Sequence, residues 1–153
     1  MVSVVVREMR PGDELNLIAL GKMMHEESPI YRDLPFDVMK LKNLSSFIYE
    51  SDLVRCLVAE KENKLIGMYI ASVAPYWFSS SIMMIDTVLY VHPFHRGSSA
   101  VPRMLRKMRE WGKSMGAIKS SVGVSSGIDT ERTVCFFEKL GYDKAAILMQ
   151  KDI

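Results

Sequence analysis

The sequence is poor in the residues that staple a fold or ligate a metal, with two cysteines and three histidines in 153 residues. Two cysteines cannot build the disulfide framework of a small secreted domain. Cys56 and Cys135 lie in a strand-like and a helix-like segment without metal-ligand spacing. They read as free thiols of a reducing compartment, so the expected location is cytoplasmic. His92 and His95 form an HxxH pair in a loop but lack a third ligand, and no metal is expected. Excess charge is also missing: 20 basic and 18 acidic residues leave a net +2, too little to mark a wholly basic nucleic-acid binder. The uncharged run from Leu65 to Ile85 covers 21 residues, but Gly67, Pro75 and Ser79-Ser80-Ser81 interrupt it. Two buried strands joined by a loop fit it better than a spanning helix, and no membrane partner is expected. The opening MVSVVVREMR has no apolar run followed by a cleavage site, so no signal peptide is expected. Repeats, low-complexity tracts and linkers are absent. The length suits one domain over residues 1–153.

What is present centres on Ile85 to Met115. Ile85 to Val91 is β-branched and aromatic with one charge, Asp86, and predicts a strand that Pro93 ends. Arg96 and Gly97 sit in the following turn. Ser98 or Ser99 is placed to cap a helix, with Pro102 in its first turn, where a missing N–H costs nothing. Val101, Met104, Leu105, Met108, Trp111 and Met115 recur at three and four, one face of a helix. Arg103, Arg106, Lys107, Arg109 and Lys113 occupy much of the rest. A strand, a small-residue turn and the N-terminus of a basic helix make an anion site, because free N–H groups and the helix dipole converge there. Charge is distributed to match: residues 1–95 hold 9 basic against 12 acidic residues, and residues 96–153 hold 11 against 6. A phosphate-bearing ligand is the first functional expectation.

The remaining chain predicts a strand over Val2 to Met9 and a helix capped by Asp13. A loop follows from His25 to Pro35, then a helix from about Phe36 to Tyr49. Strands are expected at Asp52–Glu60 and Leu65–Ala74, joined by a turn at Lys61-Glu62-Asn63-Lys64, and then at Ser81–Val91. After the basic helix come a strand at Ala117–Val124, a short helix at Thr130–Leu140 and a final strand at Ala145–Lys151. This order gives a mixed α/β (α+β) sheet with helices on its faces, not a doubly wound nucleotide fold.

Two motifs carry a family resemblance. Val91-His92-Pro93-Phe94-His95-Arg96-Gly97 resembles the acetyl-CoA-binding signature V-x-P-x-x-R-G of the GNAT N-acetyltransferase superfamily. Cys135-Phe136-Phe137-Glu138-Lys139-Leu140-Gly141-Tyr142, about forty residues on, resembles its FYEKLGF ending. The resemblance implies a mostly antiparallel mixed sheet flanked by about four helices and splayed open after the central strand. It implies acetyl-CoA as cosubstrate, with pantetheine beside the backbone of Leu89, Tyr90 and Val91. The pyrophosphate would lie on N–H groups from Arg96, Gly97, Ser98, Ser99, Ala100 and Val101. Ser99 and Val101 replace the usual glycine or alanine positions, Thr130 and Thr133 replace an asparagine and an alanine, and Phe137 replaces the tyrosine that often serves as general acid.

The implied activity is transfer of an acetyl group to a primary amine. The general base is expected at Asp86, the only carboxylate of the central strand, or at the position of Thr87. Strict alternation puts Asp86, Val88 and Tyr90 on one face and Thr87, Leu89 and Val91 on the other, a count that a β-bulge would change. The family's acceptor pocket falls near His25 to Tyr31, where Glu26 or Glu27 is placed to recognise a cationic amine. Tyr76-Trp77-Phe78, at a predicted hairpin tip, would cover the acceptor site, pack in a homodimer or fold back on the core. The acceptor stays open among a polyamine-like molecule, an amino acid, a protein amine and a modified base. The rival reading is a GNAT-fold regulatory protein that holds acyl-CoA without turnover. The basic helix brings no groove-reading motif, so nucleic acid is not the expected partner.

Overall fold

The computed structural model describes residues 3–153. Five strands lie in sequential order: β1 (Val5–Glu8), β2 (Val54–Lys61), β3 (Lys64–Pro75), β4 (Ile82–Val91) and β5 (Ala117–Ser121). Neighbours pair antiparallel except β4 and β5, which run parallel. Helices α1 (Glu14–Glu27) and α2 (Val38–Glu50) precede β2, α3 (Ala100–Ser114) links β4 to β5, and α4 (Thr130–Lys139) follows β5. The element order predicts a mixed sheet with helices on its faces, and the mostly antiparallel pairing with four helices is what the family resemblance implies. Part of the first expected strand, at Val2, lies outside the described residues.

Strand alternation divides the sheet between two cores. One face sends Cys56, Val58, Met68, Ile70 and Tyr90 toward Leu17 and Leu20 of α1. The other sends Leu57, Ala59, Tyr69, Ala71, Val73, Met84 and Val91 toward Met104, Leu105, Met108 and Trp111 of α3. The three-and-four spacing read in α3 is therefore its buried stripe. Gly112 lies so close to the sheet that an added Cβ would stand 2.7 Å from the Met84 sulfur. Lys61 to Lys64 closes the β2–β3 hairpin with Glu62 at φ 53° and Asn63 at φ 60°. Both lie in the left-handed region that two-residue hairpins favour. Among the described residues, no helix is long and apolar enough to cross a membrane.

Several expected boundaries move. Helix α1 continues through His25, Glu26 and Glu27 and stops at Ser28, whose ψ of 120° is the extended conformation that Pro29 imposes on the residue before it. Asp37, not Phe36, opens α2, with Oδ1 accepting from the Met39 and Lys40 N–H groups. Asp13 holds the N-cap position of α1 but its side chain does not cap. It accepts from the Arg7 guanidinium at 2.7 and 3.0 Å and from the Arg10 N–H at 2.9 Å. Residues Ala145 to Lys151 form no strand, and Ile147, Leu148 and Met149 are exposed. Apolar residues do not make a strand without a neighbouring edge to accept its ladder, and none is paired there.

Candidate functional site

The site begins where two strands part. β4 and β5 pair from Ile82 and Ala117 to Ile85 and Ser121. β5 then ends, while β4 continues to Val91 paired only with β3. The half of β4 from Asp86 onward thus presents an unpaired ladder edge to the opening, a template for an extended ligand. The Gly123 N–H donates to Asp86 Oδ1 at 2.9 Å and pins the two diverging segments at the fork. Beyond it lies a cleft of about 380 Å³. Leu89, Tyr90 and Val91 form one wall and Val122 to Val124 the other, with Phe136 and Phe137 of α4 closing the side.

A bulge decides which side chains face this cleft. Ile70 pairs with Val88 and Ala71 with Asp86, so Thr87 has no partner across β3. Asp86 therefore shares a face with Leu89 and Val91, while Val88 and Tyr90 join the opposite face. The grouping of Asp86 with Val88 and Tyr90 that alternation predicts is corrected, because the extra residue inverts the count. Thr87 lines a second cavity, on the α1 and α2 side. Burial, the largest influence, pushes the Asp86 carboxyl above its ordinary range despite the Gly123 N–H.

The turn after β4 forms the end of the cleft. Pro93 to His95 make one 3-10 turn, and Gly97 follows at φ 81°, a conformation that a side chain resists. Ser99 holds the N-cap position of α3 but makes no side-chain cap. Ser98 Oγ accepts the Ala100 N–H at 3.3 Å instead. The first-turn N–H groups of α3 have no intrahelical acceptor and converge with the helix dipole at this turn. Arg96, Gly97, Ser98 and Val101 line the cleft, whereas Ala100 is fully buried beneath it. Thr130 opens α4 outside the lining, to which Asp129, Arg132 and Thr133 contribute.

Arg96 is already engaged. Its guanidinium donates to both Glu27 oxygens at 2.5 and 2.6 Å, its Nε to the Val91 carbonyl at 3.2 Å, and it lies over the Tyr90 ring. The Tyr90 hydroxyl donates to Glu27 at 2.8 Å. Arg96 holds the Glu27 carboxyl below its usual range, with Tyr90 assisting against burial. Burial, with Glu27, pushes the Tyr90 hydroxyl to about 12. Glu27 is thus committed to Arg96 and Tyr90, and the exposed Glu26 carboxylate approaches Lys22 at 3.8 Å. Neither carboxylate lines the cavity between α1 and α2 that Thr87 borders. Sequence reading missed the Glu27–Arg96 pair because 69 residues separate its members.

Phe137 is buried and packs edge-on against Phe136 and Tyr142 at centroid distances of 5.6 and 5.5 Å. The Tyr69 and Tyr142 hydroxyls are buried without a partner among the described residues. Trp77 and Phe78 stand 94% and 69% exposed at the β3–β4 tip, so of the three alternatives for this tip they do not fold back on the core. No group of three metal-ligating side chains occurs among the described residues.

A model of the acetyltransferase (GNAT) family matches residues 20–142. The chain belongs to the GNAT acetyltransferase family. Among solved structures, the aminoglycoside N-acetyltransferase AAC(6')-Iy in complex with CoA is similar at a TM-score of 0.82 and 15% identity, over 100% of this chain and 96% of that one. A Trypanosoma brucei acetyltransferase gives 0.76 and 18% over 99% and 100% of the two chains. The glucosamine-6-phosphate N-acetyltransferase of Arabidopsis thaliana gives 0.76 and 18% over 98% of each. These neighbours share the GNAT fold. No curated protein matches the sequence.

Proposed function

We propose that this GNAT chain transfers an acetyl group from acetyl-CoA to a primary amine by direct attack in a ternary complex. The observation that carries the reading is the fork between β4 and β5, which leads to the N–H groups at the start of α3. A pantetheine arm is an extended amide chain and fits beside the bare edge of Leu89 to Val91. A pyrophosphate fits the turn from Arg96 to Val101, where main-chain donors supply the contacts and serine at position 99 still permits close approach. The solved AAC(6')-Iy complex supports a CoA thioester as the donor.

The chemistry asks little of side chains. The amine nitrogen attacks the thioester carbonyl with its lone pair, the C–S bond breaks, and sulfur leaves as the thiolate. The amine sheds one proton. Asp86 is the proposed base, acting through water from the fork, because burial raises its proton affinity toward neutral pH. Thr87, across the strand, orients the amine. Asp86→Asn is expected to lower kcat about a hundredfold, the lower end of general-base effects, with acetyl-CoA affinity retained. In the unaltered protein the rate should rise with pH through a value above the ordinary ~4 of aspartate. Undiminished turnover by the variant at neutral pH would remove Asp86 from this role.

A second reading is favoured by one substitution: Phe137 stands where the family often presents a tyrosine acid. A chain that holds acyl-CoA without turnover would look like this. Calorimetric titration with acetyl-CoA, followed by thiol release with an amine panel, separates the two. Tight binding with thiol release supports transfer, and tight binding alone supports the regulatory reading.

A further inference from the structure

Resting on the amine-acetyltransferase reading, we propose that the acceptor is a small monoamine with an apolar body, aromatic or branched aliphatic, seated between α1, α2 and β4. A cavity of about 350 Å³ occupies that position, at the small end of the about 300–1,000 Å³ found for small-molecule sites. Its walls include Leu17 and Met24 of α1, Leu44 and Ile48 of α2, and Met68 and Ile70 of β3. No aspartate, glutamate, lysine or arginine lines it. An acceptor with a second ammonium or a phosphate would lose its hydration there without an opposing charge. The same apolar wall favours the neutral amine over the ammonium, and the neutral form is the nucleophile.

The polar lining locates the amine. His25, Tyr31, Ser45 and Thr87 are the four polar side chains of the wall. The Leu34 carbonyl can only accept, so His25 Nε2 is the donor in their 2.7 Å contact. Ser45 donates to the Leu41 carbonyl at 3.0 Å, and Tyr31 donates to Ser125 Oγ at 3.1 Å. Among the described residues, the Thr87 hydroxyl and His25 Nδ1 are the uncommitted polar groups of this wall, and the bulge places Thr87 on this face of β4, the strand that borders the fork. The Tyr31–Ser125 bond joins this wall to the loop whose Val124 and Ser126 bound the cleft at the fork. The amine therefore sits at the Thr87 end, next to the fork, and the apolar body extends beneath α1 and α2. A sugar or a peptide would bring several polar groups to a cavity with two free partners, the Thr87 hydroxyl and His25 Nδ1.

The test compares 2-phenylethylamine and isoamylamine with spermidine and glucosamine 6-phosphate. Thiol release from acetyl-CoA and direct calorimetric binding in the presence of CoA are both read. The apolar monoamines are expected to show kcat/KM at least tenfold above the charged acceptors. Leu44→Glu, inside the cavity, should raise the KM for 2-phenylethylamine at least tenfold. Leu34→Glu at the mouth, where Leu34 is 59% exposed, provides a variant that endangers folding less. Faster turnover of spermidine or glucosamine 6-phosphate overturns the proposal, as does an unchanged KM in folded Leu44→Glu and Leu34→Glu proteins. Should no acceptor release thiol, saturable binding of 2-phenylethylamine that Leu44→Glu weakens sustains the proposal while the transfer reading fails. Absence of that binding overturns the proposal itself.

Discussion

Glu27 shows how one side chain serves two parts of a site. It ends α1 and grips Arg96 in the turn proposed for the pyrophosphate, with each partner's side chain roughly 30% exposed. Solvent screening keeps such a pair modest, so Glu27→Gln should cost about 1 kcal/mol by chemical denaturation. Its carboxyl is held below the usual range, chiefly by Arg96. That contribution is therefore full above the unfolded value of about 4.3 and is lost as pH falls through the lower folded value. Acid unfolding followed from pH 6 to 2 should show a shallower loss in Glu27→Gln than in the unaltered protein. An equally steep loss would mean that Glu27 contributes nothing to acid sensitivity. Asp86 has the opposite sign, since a raised carboxyl favours the folded state at low pH.

Among the elements, the β2–β3 hairpin and the α3 turn both use the left-handed backbone, with different residues. Gly97 adopts φ 81° without strain, whereas Asn63 at φ 60° carries a side chain. Asn63→Gly should raise stability by about 0.5–1 kcal/mol, because such conformations cost L-residues about 1–2 kcal/mol and asparagine somewhat less. A lower midpoint in urea would show that the Asn63 side chain contributes more than the strain it carries. Helix α3 was legible from its spacing alone: Met104, Leu105, Met108 and Trp111 are buried where the three-and-four rule puts them. The faces of β4 were not. Residues read by period two are inverted by one unpaired residue, and a bulge depends on the register with β3, which leaves no local mark in Ile85 to Val91.

For the whole molecule, the uneven charge of the two halves becomes a property of ligand binding. The turn proposed for the pyrophosphate belongs to the basic half, with 11 basic against 6 acidic residues after position 95. Acetyl-CoA affinity should fall about tenfold between low and 0.3 M salt, since screening shortens the reach of that field. A salt-independent Kd would assign the phosphates to main-chain dipoles alone. Local sequence was enough for the family, for the order of elements from β1 to α4 and for the turn that opens α3. Those signals lie in contiguous residues, where Pro93, Gly97 and the spacing of α3 act through local sterics and burial. The meeting of distant segments decided the Glu27–Arg96 pair, the face that Asp86 presents, the unpaired run at Ala145 to Lys151 and the cavity between α1, α2 and β4. Each depends on which distant segments meet, and in what register, and no local pattern of residues encodes that meeting.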